Sequence, residues 1–456
     1  MENFYKKVAV VGGGLAGSEA ALQLANRGIS VDLFEMRPKK LTPVHKTDDF
    51  AELVCSNSFK STKENSAAGM LKQELRSLHS HLFDVAQKTR VEAGGALAVD
   101  RDLFSQGVTQ LINENNFINV INREIKEVSE LGEYDAVILA SGPMTSENLA
   151  NSVFSKLGSH RLNFYDAAAP IVMADSLDYD VLFKQNRYED AGDNATGDYF
   201  NAPFTRDEYE NFVDELLAAN RVILKKFEKK ELFSACQPIE EIARSGYDAP
   251  RFGPLKPVGL IDPRTNKRPW AVVQLRSENK NNTAYNLVGF QTNLTFPEQK
   301  RVFSMIPGLK NAEFARFGVM HKNVFIDSPR LLDKNLLCKT LSDVAHAPVY
   351  VAGQLSGTEG YMEAVRSGLH AAISVSCQLK GVMAPCLSDK TIFGSLLSYA
   401  TDEETKDYQP MHVNFGIIAP LDTKIKNKQL RYSEYQSRGL AALNQYVEQL
   451  ADLGIM

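Results

Sequence analysis

Residues 7–37, KVAVVGGGLAGSEAALQLANRGISVDLFEMR, constrain the fold more than any other stretch of the chain. Residues 7–11 are a short apolar run with the pattern of a buried strand. A glycine cluster follows, then SEAALQLANRG, which has helical spacing and a terminal glycine. ISVDLFEMR reads as a second strand. Together they make a strand-turn-helix-strand unit of about 30 residues, the length a dinucleotide-binding unit needs. Gly12, Gly14 and Gly17 supply the GxGxxG spacing. The first allows the tight turn, the second lets backbone approach a pyrophosphate, and the third lets helix and strand pack closely. Gly13, Leu15 and Ala16 complete the loop that leads into the helix N-terminus, whose amides and dipole favour phosphate. Glu35 stands 23 positions after Gly12, where an acid can bind ribose hydroxyls.

A second nucleotide-fold piece lies far along the chain. YDAVILASGP (134–143) is another buried-strand pattern ending in small residues. PVYVAGQLSGTEGYMEAVRSGLHAAIS (348–374) reads as strand, glycine-bearing loop and small-residue helix. Gly353, Gly357 and Gly360 could approach the other end of a long cofactor, or simply make a turn with tight helix packing. This late loop, with the first unit so near the N-terminus, suggests FAD rather than NAD. Between about 160 and 330 the texture changes to strand-like WAVVQLRSE and AYNLVGFQTNL and the charged helical run RDEYENFVDELLAANRVILKKFEKKEL. The expected fold is therefore α/β, a Rossmann-like FAD-binding domain of the glutathione-reductase type interrupted by a mixed α+β insertion. The expected division is 1–160, 161–330 and 331–456, the last part ending in an amphipathic helix that closes the surface.

Composition narrows the class. Lys and Arg number 51 against 56 Asp and Glu, for a net charge of −5 over 456 residues. That balance gives no support to strong non-specific nucleic-acid binding, although a local basic face remains open. Five cysteines without CxxC or Cys/His spacing argue against a disulfide scaffold or a zinc site, so no metal is expected. A reducing cytoplasm is the expected location. The start lacks a signal-peptide pattern, and no apolar run approaches the roughly 20 residues needed to span a bilayer.

Nine blocks then converge. VVGGGLAGSEAA, ELVCSNSFKS, AGMLKQELR, AGGALAVDR, SACQPIEEIARSGYDAPRFGPLKPVGL, LVGFQTNLTFPEQKRVF, RFGVMHKNVFIDSPRLL, VAGQLSGTEGYMEAVRSG and HVNFG span nearly the whole chain. On these blocks the sequence resembles the folate- and FAD-dependent RNA uracil-5-methyltransferases, the TrmFO family, relatives of the GidA-type tRNA-modifying flavoproteins. The resemblance implies bound FAD, 5,10-methylenetetrahydrofolate as carbon donor and NAD(P)H as reductant. It implies 5-methyluridine as product, typically at position 54 of the tRNA T-loop, with a 23S ribosomal RNA uridine as the alternative target.

That chemistry needs cysteine. Carbon 5 of uracil is a poor nucleophile until a thiolate adds to carbon 6 and makes the ring an enolate. The carbon-5 proton must later leave to a base, and a hydride must complete the methyl. By resemblance, Cys236 in ACQPIEE is the carbon-6 nucleophile and Cys55 in VCSNSFK is the second catalytic thiol, plausibly the one that removes the carbon-5 proton. The swapped assignment stays open. Read from the residues alone, either thiol could be a buried core cysteine; Cys338, Cys377 and Cys386 are taken to be structural. Tyr361 starts the late helix and could stack on a flavin or folate ring.

Arg251 and Lys256, in APRFGPLKP, could present cations to RNA phosphate or to the folate glutamate tail, or form a solvated turn. KKFEKK (225–230) and KIKNKQLR (424–431) are basic patches that could contact RNA or simply be solvated. His321, in VMHKN, could be a polar site residue, though a lone histidine is more often structural. The expected partners are an RNA substrate and folate, with no membrane and no stable protein partner. A flavin oxidoreductase without RNA is the competing reading, and no closely spaced cysteine pair after the first unit supports it.

Overall fold

The computed structural model describes residues 6–42, 44–158, 162–187, 197–222, 237–405 and 408–456. Cys236 and the 225–230 run lie outside them, as do the side chains of His321 and its neighbours.

The Lys7–Val11 strand pairs in parallel with Ser30–Glu35 on one side and Ala136–Leu139 on the other. Ile118–Asn122 and Val349–Val351 close the two edges, giving a five-stranded parallel sheet. Val8, Ala9 and Val10 have no solvent exposure. Such a run is apolar throughout because helices cover both faces of a parallel sheet. Each fully buried valine of this kind contributes about 1.5–3 kcal/mol. The chain leaves Lys7–Val11 for a neighbour on one side and later returns to the other side. A crevice therefore opens at the carboxyl end of this strand, at Gly12.

Two helices cross above that point. Leu15–Asn26 follows the first strand and Tyr361–Lys380 follows the last. They approach so closely that a Cβ on Gly368 would lie 2.1 Å from the Ala16 carbonyl oxygen. The two distant nucleotide-fold pieces are thus one packed unit.

A second core holds residues from Ala169 to Ala312. Its six-stranded antiparallel sheet runs Phe183–Lys184, Phe200–Phe204, Ala271–Ser277, Ala284–Leu287, Ile171–Met173, Phe314–Arg316. Arg206–Ala218 packs Tyr209, Phe212, Val213 and Leu216 into that core. Its start is fixed by a reciprocal cap between Thr205 and Glu208. The two chain crossings between the cores, Leu162–Ala167 and Met320–Phe325, pair with each other as an antiparallel ladder.

Two elements differ from expectation. Of the charged run 206–232, residues 223–232 lie outside the described residues; within them the helix ends at Ala218, where Val222 N–H donates to the Asn293 carbonyl at 2.9 Å and Arg221 bridges to Leu294. Pairing with that loop outcompetes helix propensity. The C-terminal helix, expected over 432–454, starts earlier, at Lys428, because the Asn427 side chain accepts from the amides of Gln429 and Leu430. The basic run 424–431 therefore supplies the cap and first turn of this helix.

Candidate active site

The crevice beyond Gly12 widens into a cleft of about 490 Å³. Gly12, Gly13, Gly14, Leu15, Ala16, Glu35, Gly353, Tyr361 and Cys55 all line it. The first loop is shaped by close approach. Gly12 has φ +105, and a Cβ there would lie 2.5 Å from the Ala140 carbonyl oxygen. Gly17 does not line the cleft; a Cβ on it would lie 1.8 Å from the Gly12 oxygen, so its role is helix-strand packing. A Cβ on Gly14 would meet nothing within 4 Å. Gly14 is also the helix N-cap, with no side chain bonded to the first amides. Open backbone at a helix N-terminus is what a pyrophosphate requires.

Glu35 receives the Gly13 N–H at 2.9 Å and pairs with the buried Arg37 at 3.2 Å. Burial works to raise its carboxyl pKa, but the Arg37 guanidinium overrides it and holds the group below the usual value. Glu35 is therefore an anionic acceptor at the cleft wall. His45 stands nearby, its pKa pushed down to about 4 by burial and then by Arg37, so it is a neutral donor-acceptor.

The late loop answers both of its readings. Gly353 lines the cleft and also packs on Ala16, 2.9 Å from its Cβ were a Cβ present. Gly357, expected among the cofactor contacts, does not line the cleft. A Cβ there would lie 2.2 Å from the Tyr408 hydroxyl, which donates to the Ser356 carbonyl at 2.7 Å. Its small size serves that packing.

At the far end of the cleft, Cys55 is half-buried and its backbone N–H donates to the Tyr361 hydroxyl at 2.8 Å. The Tyr361 ring meets Phe59 edge to face at 5.7 Å. Two arginines hold the cysteine segment from behind. Arg101 donates to the Cys55 carbonyl at 3.3 Å and also to the Leu53 carbonyl. Arg316 donates to the Val54 carbonyl. Arg101 pairs with Glu278 at 2.9 Å; burial opposes its charge, and Glu278 more than compensates. Arg276 donates to Asn57 at 2.9 Å, and Asn57 donates to the Ser277 carbonyl at 2.9 Å. Arg276, Ser277, Glu278 and Arg316 all come from the antiparallel sheet or its end. The second core thus fixes the cysteine loop of the first.

Sequence reasoning assigned no role to Arg101, Arg276, Glu278 or Arg316. Arg101 and Arg316 do sit in the recognised blocks AGGALAVDR and RFGVMHKN. Lys60 and His412 also line the cleft, and Lys60 pairs with the buried Glu363 at 3.1 Å. Burial and then Lys60 lower the His412 pKa.

Arg251 and Lys256 lie elsewhere, on a separate cleft that shares no residue with this one. Cys338 and Cys377 are buried, in keeping with a packing role, whereas Cys386 is exposed. No group of three or more His, Cys, Asp or Glu suited to a metal occurs among the described residues. No helix among them is long and apolar enough to cross a membrane.

Parallel sheet, glycine loop, uncapped helix start and acid define a dinucleotide-binding α/β protein with an inserted antiparallel unit. The family model for glucose inhibited division protein A matches residues 7–383. The methylenetetrahydrofolate--tRNA-(uracil-5-)-methyltransferase TrmFO of Fusobacterium nucleatum is 50% identical over 97% of this chain and 99% of its own. The TrmFO proteins of Acetivibrio thermocellus and Carboxydothermus hydrogenoformans are 48% and 50% identical over 96% and 97% of this chain, and 98% and 99% of theirs. The chain belongs to the GidA family and, within it, to the TrmFO proteins. In fold it is similar to Aquifex aeolicus GidA, with TM-score 0.67 and 16% identity over 98% of this chain and 78% of that one.

Proposed function

We propose that the protein methylates carbon 5 of uracil in tRNA, using bound FAD, 5,10-methylenetetrahydrofolate and NAD(P)H. The carrying observation is Cys55 on the wall of a dinucleotide cleft, joined to Tyr361 by a 2.8 Å hydrogen bond. The residues fit FAD: Gly14 leaves backbone open for the pyrophosphate, Glu35 offers a carboxylate to ribose, and Tyr361 offers a ring at the other end. When bound, the flavin supplies reducing equivalents from NAD(P)H, and the folate supplies the carbon.

The protein's own residues then have distinct tasks. Cys236 adds as thiolate to uracil carbon 6, giving the enolate whose carbon 5 attacks the one-carbon unit. Cys55 accepts the carbon-5 proton, and Cys236 leaves as thiolate once the methyl is formed. The guanidiniums of Arg101 and Arg316, bonded to the carbonyls on either side of Cys55, give the electropositive setting in which a thiolate works. The proposed target is position 54 of the T-loop.

Incubation of the flavin-loaded protein with an unmodified tRNA transcript, methylenetetrahydrofolate and NADPH should give 5-methyluridine in the T-loop. Methylation of a 23S ribosomal RNA fragment instead would redirect the target, and no product on either RNA would sink the reading. Cys236→Ala should fail to trap 5-fluorouridine-containing RNA covalently, whereas Cys55→Ala should still trap it. The reverse pattern would exchange the two thiol roles.

A further inference from the structure

We propose that a second, basic cleft at the outer end of the inserted sheet is the docking site for the RNA backbone. This deepens the methyltransferase reading and rests on it. The cleft encloses about 1280 Å³ and is lined by seven Lys or Arg against three Asp or Glu. That excess stands out in a chain whose net charge is −5, and a polyanion is the ligand such a local field attracts.

The lining acids are already engaged within the protein. Glu208 caps the Arg206–Ala218 helix, and Asp262 binds Arg264 at 2.8 Å. By contrast, Lys267, Arg268 and Lys310 are exposed, line the cleft, and have no ion pair among the described residues. The arginine of APRFGPLKP plays a different part. Arg251 lies over the Trp270 ring at 3.6 Å and donates to the Trp270 carbonyl at 3.0 Å, which makes it the wall of the cleft. Beside it Phe252 is 80% exposed, an aromatic face in a basic groove. Cations for phosphate with an open ring for an unstacked base are the features of single-stranded nucleic-acid contact.

The position suits a polymer that also reaches Cys55. The Ala271–Ser277 strand leads from Trp270 at the cleft to Glu278, which pairs with Arg101 behind Cys55. Eight residues of extended chain span roughly 26 Å at about 3.3 Å each. A stacked strand advancing about 3.4 Å per nucleotide covers that distance in roughly eight nucleotides. An RNA arm with its target base at Cys55 would therefore lay backbone across Lys267, Arg268 and Lys310.

Trp270 is the single tryptophan of the chain, so its emission reports on the cleft. Titration of the FAD-loaded protein with an unmodified tRNA transcript should change that emission. Lys267→Glu/Arg268→Glu should weaken tRNA binding at least tenfold and lower the slope of log Kd against log salt by about two. Phe252→Ala should cost fivefold or more. Flavin absorbance and melting temperature serve as folding controls. Unchanged affinity and salt slope in the charge-reversed protein overturn the docking site while leaving the methyltransferase reading intact. Loss of affinity confined to polyglutamylated folate overturns it too, giving the cleft to the folate tail. A wild-type protein that makes no 5-methyluridine on tRNA or on a 23S ribosomal RNA fragment overturns both readings.

Discussion

The backbone N–H of Cys55 donates to the phenolic oxygen of Tyr361 at 2.8 Å across 306 positions of sequence. One bond thus ties the cysteine loop of the first half to the start of the Tyr361–Lys380 helix, on the wall of the dinucleotide cleft. Tyr361→Phe keeps the ring and removes the acceptor. A part-buried donor that loses its partner costs about 1–3 kcal/mol. The variant should retain flavin while single-turnover methylation slows about tenfold. A wild-type rate would show that this bond does not position the loop.

Arg101 is the second support of that loop, and its charge is matched by the buried Glu278. Arg101→Met leaves Glu278 buried and unpaired, a change that costs about 3–5 kcal/mol. Arg101→Met/Glu278→Leu should recover much of that loss, since both charges then go together. Melting curves of the two variants test this, and equal melting temperatures would contradict it.

Two glycines of the first loop should fail in different ways. A Cβ at Gly14 meets no protein atom, so Gly14→Ala should fold normally and lose flavin affinity by tenfold or more, the methyl occupying the phosphate path. A Cβ at Gly17 would overlap the Gly12 carbonyl, so Gly17→Ala should lower both flavin content and melting temperature. Absorbance of the purified proteins at the flavin band, read beside their unfolding curves, separates the two.

Glu19 gives a pH signature. It is fully buried and accepts the amides of Leu82 at 2.9 Å and His81 at 3.2 Å. Burial raises its pKa to about 7, so the folded state holds a proton that the unfolded chain releases near 4.5. The proton-linked stability is therefore present below about pH 4.5 and lost as pH rises through about 7. Glu19→Gln removes that titration. The melting temperature of the variant minus that of the wild type should rise from pH 4.5 to pH 8, by the equivalent of about 2–3 kcal/mol. A gap that stays constant across this range would rule the ionisation out.

Much of the fold was legible because its signals are local. The strand, glycine turn, helix and acid of residues 7–37 follow one another in sequence, and each has a periodicity or a steric demand of its own. The resemblance carried the chemistry and singled out Cys55, and the position of Tyr361 at a helix start singled out that ring; both line the same cleft. Within the described residues the charged helix ends short of Val222, which finds a partner in Asn293, a contact that no local pattern announces. Gly357 was misplaced for a similar reason: its neighbour Tyr408 lies 51 positions on, and only packing brings the two together.

By itself the sequence determined the nucleotide unit and the existence of a differently textured insertion. Tertiary structure decided what surrounds them. Arg101 touches Cys55 from 46 positions away, and Arg316 touches Val54 from 262. Lys267, Arg268 and Lys310 gather on one cleft in an otherwise acidic chain. Charge acts through space rather than along the chain, so its sum is set by composition while its field at any one thiol or groove is set by folding.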